Sequence, residues 1–392
     1  MIPYGKHYID EDDIQAVVDV LRSGMLTQGP VGEAFEKAVA EYIGVKYALA
    51  VSSGTAALHL AVLAAGVGPG TSLITSPITF VASANAGLYA GARVVFADID
   101  PDTINISPVA LKEALAKNSD ARAVIPVHFA GLPCDMPTIK ILADQAGVAV
   151  IEDAAHALGA SYPDGQRVGS CAYSLMTIFS FHPVKVIAAG EGGMVTTNDE
   201  AVYRKLLRLR SHGINKLDDP FQLPKQAETN GVRNPWYYEM QELGFHYRIT
   251  DIQCGLALSQ FKKLDKFIVR RINLAKRYDE AFAALHNCRP AQTAGRDQSA
   301  HHLYVLRIDF DSIGMSRGEL MQELRSRGIG SQVHYIPVPA QPHYHRLGFR
   351  VDDYPNSKKY YQEALSIPLF YDLTTTQQEE VILAFKELVG GS

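Results

Sequence analysis

Short apolar runs separated by helical patterns fill the first two-thirds of the chain, and this alternation constrains the fold more than any other feature. Residues 47–51, 72–75, 94–97, 123–127 and 148–151 read as buried strands, and helical patterns such as 56–65 lie between most of them. Buried strands joined through helices imply a mostly parallel, doubly wound α/β sheet. Ligands of such sheets bind beyond the carboxyl ends of the strands. Asp10 is placed to cap a first helix carrying Ile14, Val17, Val18 and Leu21, with Gly24 ending it. Near residue 250 the pattern changes. Residues 252–271 read as one long helix, 289–299 as a polar loop, 303–309 as a strand, and 317–327 and 376–388 as helices. The expected division is a large domain with an N-terminal arm over 1–250 and a small α+β domain over 251–392.

Composition narrows the function. With 47% hydrophobic residues the 392-residue chain can bury a sizeable core. Its net charge of −5 argues against a nucleic-acid or polybasic membrane partner. No run approaches the ~18 apolar residues of a membrane span, and the start of the chain lacks a secretory apolar region. Cys134, Cys171, Cys254 and Cys288 are scattered without a CxxC pair. Neither a metal site nor a disulfide framework is indicated, and a cytoplasmic location is expected.

Five segments carry candidate chemistry. Lys185 is the only Lys, Arg, Asp or Glu between Arg167 and Glu191. Apolar surroundings lower a lysine pKa, and a neutral amine is what Schiff-base formation needs; a strand lysine reaching to the surface would give the same sequence. Asp153, in Glu152-Asp153-Ala154-Ala155-His156, follows a strand and is suited to hold a protonated pyridine nitrogen, or simply to cap a helix. His156 would then sit beside the ring oxygen. Ser52-Ser53-Gly54-Thr55 joins a strand to a helix start, where free N–H groups, the small Gly54 and the Thr55 hydroxyl suit a phosphate, or where serine merely caps. Phe80 follows another strand, either as a ring stacker or as core. Gly190-Glu191-Gly192-Gly193 permits close backbone approach, or a plain hairpin turn. A phosphate turn, a ring stacker, a pyridinium acid and a sequestered lysine, in that order, are together used by one kind of cofactor, a phosphorylated aromatic aldehyde. That describes pyridoxal 5'-phosphate (PLP).

With these motifs in hand, the chain resembles the DegT/StrS family of PLP-dependent nucleotide-sugar aminotransferases, which share the aspartate-aminotransferase type I fold. The resemblance includes Leu26-Thr27-Gln28-Gly29-Pro30, Ser53-Gly54-Thr55-Ala56-Ala57-Leu58, Pro77-Ile78-Thr79-Phe80-Val81-Ala82, Glu152-Asp153-Ala154-Ala155-His156, Phe179-Ser180-Phe181-His182 with Lys185, and Arg210-Ser211-His212-Gly213. It implies that Lys185 carries PLP, that Asp153 pairs with the pyridine, and that Phe80 stacks on the ring. It also implies that Gly54, Thr55 and Ser180 hold the phosphate, with His156 near the ring oxygen. The family implies homodimers with shared sites. In these the neighbour contributes an asparagine from a Gly-x-Asn-x-Arg motif, and His246 stands in that place in Gly244-Phe245-His246-Tyr247-Arg248.

Within the family, Leu-Thr-Gln-Gly, Phe-His-Pro-Val-Lys and Val333-His334-Tyr335 look most like the pseudaminic-acid pathway enzymes. These aminate C4 of a UDP-linked 2-acetamido-2,6-dideoxy-4-ketohexose with L-glutamate as donor. Relatives acting on bacillosamine, legionaminic acid, perosamine or 4-amino-arabinose precursors differ by few pocket residues. Three other readings share parts of this pattern. Relatives that remove a sugar hydroxyl look to carry histidine where Lys185 stands; a cysteine desulfurase needs a mobile nucleophilic cysteine; and a non-catalytic regulatory protein would not require the intact site.

Overall fold

The computed structural model describes residues 1–216 and 219–390. Helix α1 (Glu11–Arg22) starts at Asp10, whose side chain accepts from the Asp13 N–H while Asp13 answers the Asp10 N–H. Helix α2 (Pro30–Ile43) ends at Gly44, which takes the left-handed conformation that glycine accommodates. There follow β1 (Tyr47–Val51), α3 (Gly54–Ala64), β2 (Ser72–Thr75), α4 (Ala82–Tyr89), β3 (Arg93–Phe96), α5 (Pro108–Lys117), β4 (Ala121–Ile125), α6 (Met136–Ala146) and β5 (Ala149–Asp153). Strands β6 (Met176–Ser180) and β7 (Gly193–Thr197), which the strand reading above left out, complete a seven-stranded sheet before α7 (Glu200–Arg210).

The sheet order is β1-β7-β6-β5-β4-β2-β3. Every neighbouring pair is parallel except the two that β7 makes, with β1 and β6. The fold class is thus the expected mostly parallel α/β sheet with one reversed strand. Alternate residues of each strand serve opposite cores. Leu49 and Val51 join α3 on one face, and Ala48 and Ala50 join Phe35 and Val39 of α2 on the other. Burial on both faces is why the strands read as continuous apolar runs.

One expectation is corrected beyond residue 250. The single helix expected over 252–271 is two helices, Asp251–Phe261 and Leu264–Phe282, with a break at Lys262 and Lys263. Lys263 turns its amine to Asp10 and Asp13. The break serves two cores. The first helix packs on α1 and α2 and gives Cys254, Ala257 and Phe261 to the core under the large sheet. The second gives Leu274, Tyr278 and Phe282 to a separate core. That second core lies against a three-stranded antiparallel sheet of Cys288–Pro290, Tyr304–Ile308 and Ala364–Ile367, and includes Val381 and Phe385 of helix Thr375–Val389. Ile2 is buried in it as well. Its N–H donates to Gly328 and its carbonyl accepts from Gly330, each at 2.7 Å. No helix among the described residues is long and apolar enough to cross a membrane.

Candidate active site

The site lies where β1, β2, β5 and β6 end. Strand β5 places successive carboxylates on opposite sides. Glu152 enters a fully enclosed pocket, where His128 Nε2 (2.7 Å), Tyr162 Oη (2.5 Å), Ser174 Oγ (2.5 Å) and Thr177 Oγ1 (3.1 Å) surround it. Burial opposes its ionisation, yet the bonds from His128, Ser174 and Tyr162 hold its carboxyl below the ordinary value. Asp153 faces the other way. Its Oδ2 accepts from Ser83 Oγ at 2.7 Å and its Oδ1 from the Ala155 N–H at 3.1 Å. A carboxylate has about four acceptor positions, so these two donors leave capacity for an external N–H. Ser83 sits on α4 and also bonds Thr79 Oγ1 at 2.7 Å.

Lys185 lies on the loop 181–192 between β6 and β7, and not on a strand. Its N–H donates to the His182 carbonyl at 2.8 Å. The side chain is half-buried. Burial lowers its amine to about 8, and the Asp153 carboxylate partly opposes that shift. A basic nucleophile is thereby available near neutral pH.

At the end of β1, the Ser53 side chain accepts from the Ala56 N–H and starts α3 at Gly54. The first N–H groups of a helix lack internal partners and favour an anion. A Cβ on Gly54 would come 2.9 Å from Ser180 Cβ and 3.2 Å from Ser180 Oγ, so the turn and Ser180 adjoin. The glycine run reaches the same place. A Cβ on Gly193 would collide with the Ser53 carbonyl oxygen and come 2.8 Å from the Gly54 nitrogen. Thr55 is exposed beside this turn.

Phe80 is 59% exposed, which fits a stacking face better than a core position. It lies 6.3 Å, ring to ring, from Tyr335. His156 is buried, and its Nε2 is 3.1 Å from Tyr335 Oη. Its Nδ1 is buried without a partner. Burial, then the charges of Lys185 and His334, push its imidazole pKa well below the ordinary range. His302 packs on it at 4.4 Å between ring centroids. Asp153, Lys185, His156, Gly54 and Ser180 thus converge with Phe80 at the edge. His246 does not join them through a side-chain bond. It is exposed and stacks on His212 at 5.4 Å, while Phe245 and Tyr247 pack inward. The Tyr247 carbonyl accepts from the Ser52 N–H at 2.8 Å, which lays segment 244–248 along the approach to the phosphate-type turn.

Ser83, His302, His334 and Tyr335 were not assigned roles from the sequence. Thr79 and Ser83 are four apart at a helix start, a spacing that signals two hydroxyls on one face. Nothing local marks His302 or Tyr335, which reach His156 from 146 and 179 residues away. The residues present fit PLP on two observations, the orphaned His156 Nδ1 and the glycine-lined turn that a Cβ would fill. A groove of about 670 Å³ between α1 and helix Asp251–Phe261 contains none of them. All four cysteines are buried, and burial raises each thiol, that of Cys171 to about 11, which disfavours cysteine chemistry.

A sequence model of the DegT/DnrJ/EryC1/StrS aminotransferase family matches residues 7–386. The spore coat polysaccharide biosynthesis protein SpsC of Bacillus subtilis is 40% identical over 100% of this chain and 98% of its own. Among solved structures, Helicobacter pylori PseC, an aminotransferase involved in the biosynthesis of pseudoaminic acid, is similar with a TM-score of 0.89. It is 30% identical, over 99% of each chain. The Streptococcus pneumoniae protein Spr1654, in its PMP form, is similar with a TM-score of 0.88, 30% identical over 100% of this chain and 99% of that one.

Proposed function

The chain belongs to the DegT/DnrJ/EryC1/StrS aminotransferase family, and from that premise we propose that it moves the amino group of L-glutamate to C4 of a nucleotide-linked keto-sugar. It is a PLP-dependent sugar aminotransferase with the type I fold. The sugar we propose is a UDP-linked 2-acetamido-2,6-dideoxy-4-ketohexose, in pseudaminic acid formation. The motif wording in residues 26–29, 181–185 and 333–335 and the likeness to PseC support it.

One observation carries the residue roles: the buried Lys185 amine lies near the Asp153 carboxylate, which accepts hydrogen bonds from Ser83 and the Ala155 N–H. PLP, when bound, supplies an electron sink for the carbanion formed at the donor's Cα. Asp153, held by Ser83 and the Ala155 N–H, orients and keeps protonated the pyridine nitrogen. Lys185 Nζ would hold the cofactor, and as a free amine it would take the proton from the donor's Cα. Gly54, Thr55 and Ser180 would bind the phosphate, and the exposed Phe80 ring would shield the cofactor from water. We propose further that the enzyme is a homodimer in which His246 of the partner subunit donates to the phosphate. Its exposure on this chain supports that reading.

Borohydride treatment should fix the cofactor to the peptide holding Lys185; a label on another lysine refutes the assignment. Incubation with L-glutamate and a panel of UDP-, GDP- and dTDP-4-ketosugars, followed by mass spectrometry, should show amination of the UDP-linked 4-keto-6-deoxy sugar. Preference for another member of the panel refutes that choice while leaving the Lys185 role intact.

A further inference from the structure

His156 is a buried imidazole with two different ring nitrogens. Nε2 lies 3.1 Å from Tyr335 Oη, and Nδ1 is buried with no partner among the described residues. The groups facing it are Asp153 from the end of β5, Lys185 from the loop between β6 and β7, His302 from the segment before Tyr304–Ile308, and His334 and Tyr335. Burial keeps the imidazole neutral, so it carries one hydrogen. Burial likewise keeps the Tyr335 phenol protonated, with the Asp153 charge adding to the effect. Among the described residues the only hydrogen-bond partner of the phenol is His156 Nε2. The phenol therefore donates, Nε2 accepts, and the ring hydrogen belongs on Nδ1. This placement follows from the partners, since hydrogens are assigned from the network. His302 at 4.4 Å and Phe129 at 6.4 Å flank the ring and hinder its rotation toward another acceptor.

We propose that Tyr335 is a positioning residue that fixes the tautomer of His156, holding Nδ1–H ready to donate to the ring oxygen of bound PLP. The inference rests on the site proposed above, in which His156 lies beside that oxygen, and it deepens that site by one residue. A donor there spreads the negative charge of the ring oxygen. Without it, the charge bears more strongly on the Lys185 nitrogen, which then keeps its proton to higher pH.

The test is a pH titration of the visible absorbance of PLP-loaded protein, with no sugar present. In Tyr335→Phe the midpoint should rise by about one pH unit. His156→Ala should raise it at least as much, and adding Tyr335→Phe to His156→Ala should move it no further. An unchanged midpoint in Tyr335→Phe, or a shift that persists without His156, overturns the proposal. Should Tyr335→Phe fail to fold, histidine labelled with nitrogen-15 in the unaltered PLP-loaded protein decides it. The His156 signals, assigned by their loss in His156→Ala, should report hydrogen on Nδ1; hydrogen on Nε2 overturns the proposal. A protein that aminates none of the sugars tested leaves this inference standing, whereas failure to take up PLP at all refutes both readings before any variant is made.

Discussion

Single residues set the chemistry through their surroundings. Lys185 is the clearest case, because a lysine amine lowered from its usual range to about 8 is protonated below that value and neutral above it. Only the neutral amine attacks an aldehyde. The rate at which cofactor-free protein takes up PLP should therefore rise about tenfold per pH unit below about 8 and level off above it; stopped-flow absorbance checks this, and Lys185→Ala should abolish the covalent phase. Asp153→Asn should still take up PLP but lose most turnover, because an amide cannot hold the pyridine nitrogen protonated. Turnover near that of the unaltered protein would remove Asp153 from the role. Glu152, its neighbour, makes a different contribution. Its folded pKa lies below the unfolded value, so its stabilisation is present above the unfolded pKa of about 4.3 and is lost as pH falls through the folded one. Glu152→Gln should cost about 1–3 kcal/mol at pH 7, and denaturation at pH 3–4 should show the difference from the unaltered protein shrinking. The sequence marked Lys185, Asp153, Gly54 and Phe80 because each sits beside a strand end or in unusual company. It could not assign Tyr335 or His302, whose proximity to His156 exists only after distant segments fold together.

At the scale of elements, the most informative contact is backbone to backbone. Strand β7 begins at Gly193 directly beneath the turn that starts α3, with space for no side chain. Gly193→Ala must push Ser53 and Gly54 away. We expect a stability loss of about 1–3 kcal/mol and a PLP affinity reduced by at least tenfold, read by thermal melting and by equilibrium dialysis. A Gly193→Ala protein that holds PLP as tightly as the original would show that the turn does not grip the phosphate. The sequence announced the strands through their apolar runs and the helices through caps such as Asp10 and Ser53. Direction was hidden, because β7 has the same buried composition as its parallel neighbours although it runs against them. The break at Lys262 and Lys263 was hidden for a related reason: apolar positions continue across it, and the turn is made by what Lys263 reaches, Asp10 and Asp13, rather than by a helix-breaking residue.

The whole molecule raises a question of assembly. If two copies complete each other's sites, mixing Lys185→Ala subunits with His246→Ala subunits should generate hybrids with one intact site and restore part of the activity. An absence of recovery, with subunit exchange shown by mass spectrometry, would place segment 244–248 at work within its own chain. The chain's large α/β body was legible in its alternation of strand and helix, but its closure was not. Ile2 is an unremarkable residue in sequence and a core residue in structure, held between Gly328 and Gly330. That contact has a consequence in time. A ribosome adding roughly 5–20 residues per second makes Ile2 tens of seconds before residues 328–330 exist. Throughout that interval the Ile2 stretch has no mate, and the small core that contains it cannot close. A segment made late has to meet one made early, so this hydrophobic cluster is complete only once both stretches exist.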